Sequence, residues 1–344
     1  MKRNILLLFT FFACITVQGQ TPVRLVDLRS EHLDRPIGLD NPVPRLSWRM
    51  EDGRQGAVQT SWRIVVDEDS LNVVNGCGRM WDSGKNDSRN QLVAYAGKKL
   101  QPFTRYYWKV ICSDMKYKET ASPVSYFETG MMGMQHWQGA WIGDGKDIHY
   151  GPAPYFRKEF KTGKKVKSAR AYIAAAGLYE LYINGEKVGD HCLAPLYTRF
   201  DRRNLYVAYD VTSQLQNGDN AIGVLLGNGW YNHQSKAVWD FDRAPWRNRP
   251  AFCLDLRITY TDGSVETIPT DLSWRTASGA ITFNSIYTGE HYDARLEQKG
   301  WSTPEFDDSK WRGVAYRSVP SSNVTAQQVH PILSLIHISE PTRH

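Results

Sequence analysis

Two short segments of the sequence combine aromatic rings with oxygen-bearing side chains, a mixture suited to holding a sugar. In the first, Glu290, Tyr292 and Asp293 lie within four positions. Carboxylates accept hydrogen bonds from vicinal hydroxyls, and an aromatic ring covers the apolar face of a sugar. We therefore predict that these three residues bind a carbohydrate. The alternative is a structural turn in which Asp293 pairs with Arg295 or caps backbone groups.

The second segment follows a predicted strand and begins at Asn228. Loops held on a β-sandwich often carry function, and exposed rings on them can stack against sugars. Four rings of this segment are the candidate sugar platforms: Trp230, Tyr231, Trp239 and Trp246. The alternative is that Trp230 and Tyr231 belong to the core and that only Trp239 or Trp246 is exposed.

The sequence requires no cofactor, but it offers oxygen ligands for Ca²⁺, which favours several hard oxygen donors. Asn228 and Asp293 are the candidate metal ligands. The histidines His191, His233 and His291 do not have metal-ligand spacing, and the sequence has no C-x-x-C motif. We expect each histidine to lie at the surface or to be hydrogen-bonded.

The composition is that of a globular β-protein of two or three domains. The chain has 344 residues, with 12 Trp, 18 Tyr, 27 Gly and 16 Pro, which favours strands and turns over helices. The net charge is +6, but no basic run resembles a nucleic-acid patch, and no segment after the N-terminus can span a bilayer. The cationic stretch from Lys161 to Arg170 is interpreted as a solvated loop, with an anionic polysaccharide contact as the alternative.

Short alternating stretches predict the elements that position these residues. Segments 62–66 and 106–110 read as strands separated by turns, typical of a fibronectin III or immunoglobulin-like sandwich over residues 22–130. A linker is expected over 131–154, then a larger, jelly-roll-like sandwich over 155–320, which contains an Asn184-Gly185 hairpin turn. Residues 321–332 are expected to begin another domain. The predicted fold class is all-β.

The N-terminal segment has the three-part layout of a secretory signal peptide. A cationic start precedes an apolar run, and the predicted signal covers residues 1–20. We therefore expect secretion to the periplasm or cell surface, with lipidation at Cys14 as the less favoured alternative. Removing Cys14 leaves an even number of cysteines, for which Cys77–Cys112 and Cys192–Cys253 disulfides and four free thiols remain equally open.

The last residues have a different origin. Residues 333–343 resemble the translation of a transposase-type sequencing adapter over eleven consecutive codons. We therefore interpret residues 333–344 as an artefact and exclude them from the fold analysis. The expectation is that the natural gene product continues past Ile332.

Several segments, in order, resemble bacterial α-L-rhamnosidases of glycoside hydrolase family 78. Residues 35–48, 81–85 and 106–110 are similar to the opening domain of that family. Residues 181–189, 226–231 and 289–295 are similar to its accessory β-sandwich. The resemblance covers residues 24–332. It implies a rhamnose-containing glycan as partner and a Ca²⁺-assisted sugar site in some members.

The same resemblance implies what the chain lacks. The family's inverting chemistry uses an acidic pair in an (α/α)6 barrel, and nothing in this sequence resembles that barrel. No catalytic residue is assigned, and the catalytic domain is expected outside this chain. The first hypothesis is therefore an inactive N-terminal part of a secreted α-L-rhamnosidase. The alternatives are a stand-alone carbohydrate-binding module and a ligand-free structural protein.

Overall fold

The computed structural model describes residues 23–236 and 239–333. The predicted signal peptide and the adapter-like tail from Ser334 onward lie outside the described residues. Within those ranges the chain forms two β-sandwiches, and the single α-helix is α1 (Ser70–Val74). The all-β prediction is confirmed. No described helix has the length and apolar character needed to cross a membrane.

The first sandwich packs a three-stranded sheet, β1-β2-β5, on a five-stranded sheet, β4-β3-β6-β7 with β8 beside β6. Its strands are β1 (Arg24–Ser30), β2 (Arg45–Glu51), β3 (Gln59–Asp67), β4 (Trp81–Asp82), β5 (Leu92–Ala94), β6 (Arg105–Asp114), β7 (Glu119–Ala121) and β8 (Ser125–Glu128). Trp108, Tyr106 and Phe127 are completely buried between the sheets. The predicted strands at 62–66 and 106–110 are parts of β3 and β6.

The second sandwich packs a six-stranded sheet on a seven-stranded sheet, and a separate hairpin flanks them. Its strands are β9 (Ile142–Gly143), β10 (Pro154–Thr162), β11 (Val166–Ala176), β12 (Leu178–Ile183), β13 (Glu186–Lys187), β14 (Asn204–Asp210), β15 (Gly218–Gly227), β16 (Ala251–Tyr260), β17 (Val265–Pro269), β18 (Arg275–Ser278), β19 (Ile281–Ser285), β20 (Gly289–Tyr292), β21 (Arg312–Gly313), β22 (Ala315–Tyr316) and β23 (Val324–Ala326).

The order of the six-stranded sheet is β13-β12-β15-β10-β18-β21. The seven-stranded sheet runs β22-β9-β16-β11-β14-β23, with β17 beside β16. All pairings in these two sheets are antiparallel except that of β14 with β23. The hairpin consists of β19 and β20.

Strand β12 alternates between half-buried and buried positions, as expected of a strand with one face on the core. The turn that follows it has Asn184 and Gly185 at φ 50° and 88°, the left-handed conformation that these two residue types adopt readily. In β11, Ile173 faces the core between the sheets, and Tyr172 faces a second apolar cluster on the outer side. The sequence of β11 is therefore buried on both faces.

Two segments outside the expected domain limits are parts of the second sandwich. Residues 131–154, expected to be a linker, contribute β9 and the buried ring of Trp141. Residues 321–332, expected to begin another domain, contribute β23, which pairs in parallel with β14. The expected loop from Lys161 to Arg170 is also mostly strand, and Arg170 is buried in β11.

A charged clasp joins the two sandwiches. The Glu128 carboxylate at the end of β8 accepts hydrogen bonds from Arg105 of its own domain and from Arg170 of the second sandwich, the latter at 2.8 and 2.9 Å. Burial of Glu128 opposes its ionisation, but the two guanidinium groups outweigh it and lower the pKa of Glu128. The clasp is therefore fully charged at neutral pH.

A second junction centres on the buried side chain of Tyr206 in β14. Its hydroxyl accepts a hydrogen bond from the Met131 N–H at 2.9 Å and donates to Asp40 Oδ1 at 2.5 Å. Gly38 packs so closely here that an added Cβ would lie 2.6 Å from the Ala208 Cβ, and its φ is +84°. A side chain at position 38 would therefore separate the domains.

The four described cysteines are free thiols. Cys112 and Cys253 are buried, and burial raises the pKa of the Cys112 thiol to about 12. The sequence left two disulfides and four free thiols as alternatives, and the structure has the four free thiols.

Candidate functional site

One end of the second sandwich carries a cluster of aromatic rings that we call the aromatic face. Strand β15 ends at Gly227, and the chain then turns through a loop to a short 3-10 helix, Phe241–Arg243. The rings of this face that contact one another are Tyr197, Trp230, Phe241, Trp246 and Tyr287. Trp239, two positions before Phe241, is included by its place in the sequence. The Trp230 ring centroid lies 5.6 Å from that of Tyr197, 5.2 Å from that of Phe241 and 5.6 Å from that of Tyr287.

The members differ in what they offer to a ligand. Trp239, Tyr287 and Tyr197 are exposed, at 73%, 52% and 45%. Trp230 and Trp246 are half-buried, and the Trp246 Nε1–H donates to the Trp230 carbonyl at 3.3 Å. The half-buried rings thus support the exposed ones, which are free to stack against a ligand.

Tyr231 lies elsewhere. Its ring is 5% exposed and packs against Phe200 in the outer apolar cluster, with centroids 5.1 Å apart. Burial raises the pKa of Tyr231 to about 12. In this conformation Tyr231 is a core residue that anchors the loop beneath the aromatic face.

An asparagine network fixes the loop beneath these rings. The Asn228 backbone N–H donates to Asn284 Oδ1 at 2.7 Å, and Asn228 Nδ2 donates to the Asn284 carbonyl at 3.0 Å. Asn232 Nδ2 donates to Asn228 Oδ1 at 3.1 Å. The Asn228 side chain, 1% exposed, is thus satisfied by protein partners and ties the loop to strand β19.

The hairpin of β19 and β20 brings the two predicted segments to the same end of the sandwich. Tyr287 in its turn packs against Trp230, while Glu290 lies beside the turn, opposite Asn284. Between the hairpin and β12 lies a groove of about 520 Å³. Its lining includes Leu178, Glu180, Leu193, Asn284, Ile286 and Glu290.

The carboxylates of the groove are not equivalent. Glu180 accepts a hydrogen bond from the Tyr182 hydroxyl at 2.7 Å and pairs with Lys187. Glu290 is exposed and has no hydrogen bond or ion pair within the described residues. Glu290 is therefore the carboxylate that a ligand in the groove meets uncompensated.

Tyr292 and Asp293 lie at the opposite end of the hairpin from Tyr287, where Tyr292 pairs with Ile281. The Tyr292 hydroxyl donates to Glu297, and this bond raises the pKa of Tyr292 to about 12. Asp293 accepts hydrogen bonds from Arg295 at 2.6 and 2.8 Å, which lower the pKa of the Asp293 carboxyl. The structure thus adopts the Asp293–Arg295 turn that the sequence offered as an alternative.

The candidate calcium ligands do not form a donor set. Both oxygens of Asp293 are engaged by Arg295, and the Asn228 side chain is engaged by Asn284 and Asn232. Across residues 23–236 and 239–333, no group of three or more His, Cys, Asp and Glu side chains converges as a metal site would require. These two residues do not fit a Ca²⁺ ion.

Two exposed rings of the aromatic face were not among the sequence predictions. Tyr197 follows the buried Pro195 before β14, and Tyr287 stands in the hairpin turn. Tyr287 is an aromatic residue just outside a strand, which is a detectable signal, whereas Tyr197 lies seven positions before β14. Their proximity to Trp230 is not readable from spacing, because 33 and 57 positions separate them from it.

His233 beside the face is a structural residue. It is 1% exposed, and its Nε2 lies 3.2 Å from the Ser235 hydroxyl. Burial lowers the pKa of His233, so the ring is neutral at pH 7.

Two family profiles match the chain. The one described as the Rha78A-like, N-terminal immunoglobulin domain matches residues 25–133. The one described as the alpha-L-rhamnosidase N-terminal domain matches residues 164–335, half of the chain.

Similar full-length proteins extend the match across both sandwiches. An alpha-L-rhamnosidase of Formosa agariphila is 34% identical over 361 residues, covering 96% of this chain and 38% of the relative. One of Alteromonas sp. is 32% identical, covering 80% of this chain and 31% of the relative. The solved alpha-L-rhamnosidase from Dictyoglumus thermophilum superposes with a TM-score of 0.82 at 38% identity, covering 90% of this chain and 35% of that one. The chain thus spans about a third of the length of such proteins.

Proposed function

The chain belongs to the α-L-rhamnosidase family, and we propose that it is the non-catalytic, N-terminal part of a secreted member that removes terminal α-L-rhamnose from glycans by inversion. In this proposal, hydrolysis takes place in a catalytic domain outside this chain. The second sandwich holds a rhamnose-containing glycan at its aromatic face and the adjoining groove.

The observation that carries the binding role is the set of exposed rings beside an unpaired carboxylate. Tyr197 and Tyr287 present ring surface at one end of the sandwich, Trp239 is exposed two positions before Phe241, and Glu290 lines the groove next to Tyr287. Exposed rings that cluster at one place mark a binding site, whereas rings scattered singly do not. A sugar covers such a cluster by stacking its apolar face on a ring while its hydroxyls donate hydrogen bonds to the carboxylate.

We do not expect hydrolysis in this groove. Inverting glycosidases need two carboxyl groups, one to protonate the leaving oxygen and one to activate water. Glu180 is held by Lys187 and Tyr182, so Glu290 is the one free carboxylate among the described groove residues. A single free carboxylate supports the proposal of sugar binding over that of acid–base hydrolysis.

The binding role is tested by titrating the chain with a rhamnose-containing oligosaccharide in an isothermal calorimeter. Trp239→Ala should cost about 1 kcal/mol of binding, the scale of one aromatic contact. It should change the free energy of unfolding by less than about 0.5 kcal/mol, because the ring is 73% exposed. Tyr117→Ala in the first sandwich, where the ring is 76% exposed, is the matched control and should bind like wild type. Equal affinities for the two variants would refute the aromatic face as the binding site.

The catalytic part is tested with p-nitrophenyl α-L-rhamnoside. The chain should release no p-nitrophenol above the rate of buffer, and measurable turnover would place an acid–base pair within it after all.

A stand-alone binding module is the second candidate, because each sandwich closes its own apolar core. A long sequencing read across the codon for Ile332 separates the two. A frame that continues for several hundred codons into a helix-rich region supports the enzyme, and a stop codon there supports the module.

A further inference from the structure

A cavity of about 230 Å³ lies between the two sandwiches, away from the aromatic face. Phe103 of the first sandwich and Met131 form one wall, and Tyr172, Asp255 and Arg257 of the second sandwich form the other. The exposed side chains of Gln135 and Gln138 stand at its rim. Binding sites are frequent at such domain boundaries, and this volume suits one sugar ring.

Two donors of the cavity have no partner. Tyr172 is 2% exposed, yet its hydroxyl makes no hydrogen bond within the described residues. The Arg257 guanidinium lies over the Phe103 ring, 4.4 Å from its centroid, and has neither a hydrogen bond nor an ion pair there. The Arg257 side chain is half-buried, so both donors open onto the cavity, and an occupant of the cavity rather than the protein accepts from them.

The Asp255 carboxylate, which lines the cavity, can accept further hydrogen bonds. The Asp255 carboxylate, 2% exposed, accepts one backbone N–H on each oxygen, from Gln138 and Gly139, both at 2.8 Å. Each carboxylate oxygen can accept two hydrogen bonds, so a lone pair remains on each. The cavity therefore presents unused donors and unused acceptors together.

This combination selects the class of ligand. Asp255 and Arg257 carry opposite charges. An anion in the cavity is therefore repelled by Asp255, and a metal cation is repelled by Arg257. A hydroxyl group both donates and accepts, and several on one small ring match both sets. We infer that the interdomain cavity binds a single neutral monosaccharide, with its hydroxyls between Asp255, Tyr172 and Arg257.

The choice of L-rhamnose as the first probe rests on the proposed function, whereas the cavity chemistry does not. The full chain is titrated with L-rhamnose, D-glucose and D-glucuronate by ligand-observed NMR and by thermal unfolding. A ligand held between the sandwiches should raise the unfolding midpoint progressively as its free concentration exceeds its Kd. L-rhamnose or D-glucose is expected to do so, and D-glucuronate is not.

Tyr172→Phe removes only the unpartnered hydroxyl and should weaken sugar binding about two- to tenfold. Arg257→Met keeps the stem over Phe103 and should weaken it at least as much. Tyr316→Phe, at a ring 56% exposed on the same sandwich, is the matched control and should leave affinity unchanged.

The two proposals fail separately. Loss of binding in Trp239→Ala with none in Tyr172→Phe would overturn the cavity site and leave the aromatic face standing. Loss in Tyr172→Phe alone would support the cavity and count against the aromatic face. No midpoint shift with either neutral sugar, or tighter binding of D-glucuronate, would overturn the inference and leave a water-filled cavity.

Discussion

Asp67 in the first sandwich and Asp255 in the second are equally inaccessible, at 1% and 2% exposure, but their surroundings differ. Asp67 accepts hydrogen bonds from the Arg79 guanidinium at 3.0 and 3.1 Å and from the backbone N–H groups of Asp69 and Arg79. Asp255 accepts two backbone N–H groups and has no cationic partner within 4 Å in the described chain.

The consequence is opposite ionisation behaviour. Burial of Asp67 opposes ionisation, but the bonds from Arg79 and the backbone prevail and lower the pKa of Asp67 well below its usual range. Burial of Asp255 prevails over its two backbone bonds and raises the pKa of Asp255 to about 6.

The difference distinguishes a carboxylate used for stability from one left available. Asp67 contributes to the fold of the first sandwich, where Arg79, Asn72 and two backbone N–H groups donate hydrogen bonds to its carboxylate. Asp255 holds the connecting segment at Gln138 and Gly139 and still borders a cavity with unsatisfied donors. The cavity beside Asp255, with donors that open onto it, is what distinguishes this carboxylate from Asp67.

Substitution of Glu128 measures how much a fully paired carboxylate at the junction between the sandwiches contributes to the free energy of unfolding. Glu128→Ala should lower the free energy of unfolding by about 3 kcal/mol, because it removes the carboxylate shared by Arg105 and the buried Arg170 and leaves Arg170 only the exposed Asp210. Denaturant unfolding followed by tryptophan fluorescence measures it. Glu51→Ala is the control, since its pairs with Arg24 and Arg49 are exposed and each contributes at most about 1 kcal/mol. Similar losses for both variants would contradict the clasp.

Asp255 is expected to make the free energy of unfolding depend on pH. Its pKa is about 6 in the folded chain and 3.8 as the ordinary value, so the folded state retains a proton that the unfolded state has released. The stability that this group contributes is present below pH 4 and is lost as pH rises through 6, by up to about 3 kcal/mol.

The measurement is the free energy of unfolding of wild type and Asp255→Asn from pH 2 to 7. The free energy of unfolding of Asp255→Asn should increase relative to that of wild type as pH rises. Asp67→Asn is the opposite case, because the pKa of Asp67 is lowered and its contribution is present above pH 4 and lost on acidification. Parallel pH profiles for the two variants would contradict the opposite pKa shifts of Asp67 and Asp255.

The smallest effect is expected at the junction around Tyr206. Tyr206→Phe leaves the buried Met131 N–H without its acceptor and should cost about 1–3 kcal/mol in the free energy of unfolding. Faster hydrogen exchange at the Met131 amide would localise the loss. Tyr117→Phe, at an exposed ring, should be neutral, and a comparable loss there would show that the method responds to any tyrosine hydroxyl.

Local patterns predicted much of the fold. The alternation in β12 and the Asn184-Gly185 turn depend on neighbours in sequence, and both have the predicted conformation. Strand β23 was missed because it is three residues long and its partner in β14 is about 120 positions away. No local periodicity reports such a pairing.

The candidate site was predictable only by residue type. Trp239 is exposed, as the sequence analysis allowed, and Glu290 borders a groove. Tyr231 is an aromatic residue of the same predicted segment as Trp239, but its ring faces the core, because the chain turns it toward Phe200. The Glu128–Arg170 clasp joins residues 42 positions apart in different domains, which explains why Arg170 was taken for a loop cation.

Asp40 links three distant parts of the chain through its two carboxylate oxygens. Oδ1 accepts from the Met132 N–H and the Tyr206 hydroxyl, and Oδ2 accepts from the Ala326 N–H at 2.8 Å, 286 positions further on. At about 5–20 residues per second, a ribosome needs some tens of seconds to bring Ala326 out after Asp40. All strands of the first sandwich are therefore synthesised long before this carboxylate can meet its last partner, and the bond between Asp40 and Ala326 can form only after the second sandwich has been synthesised.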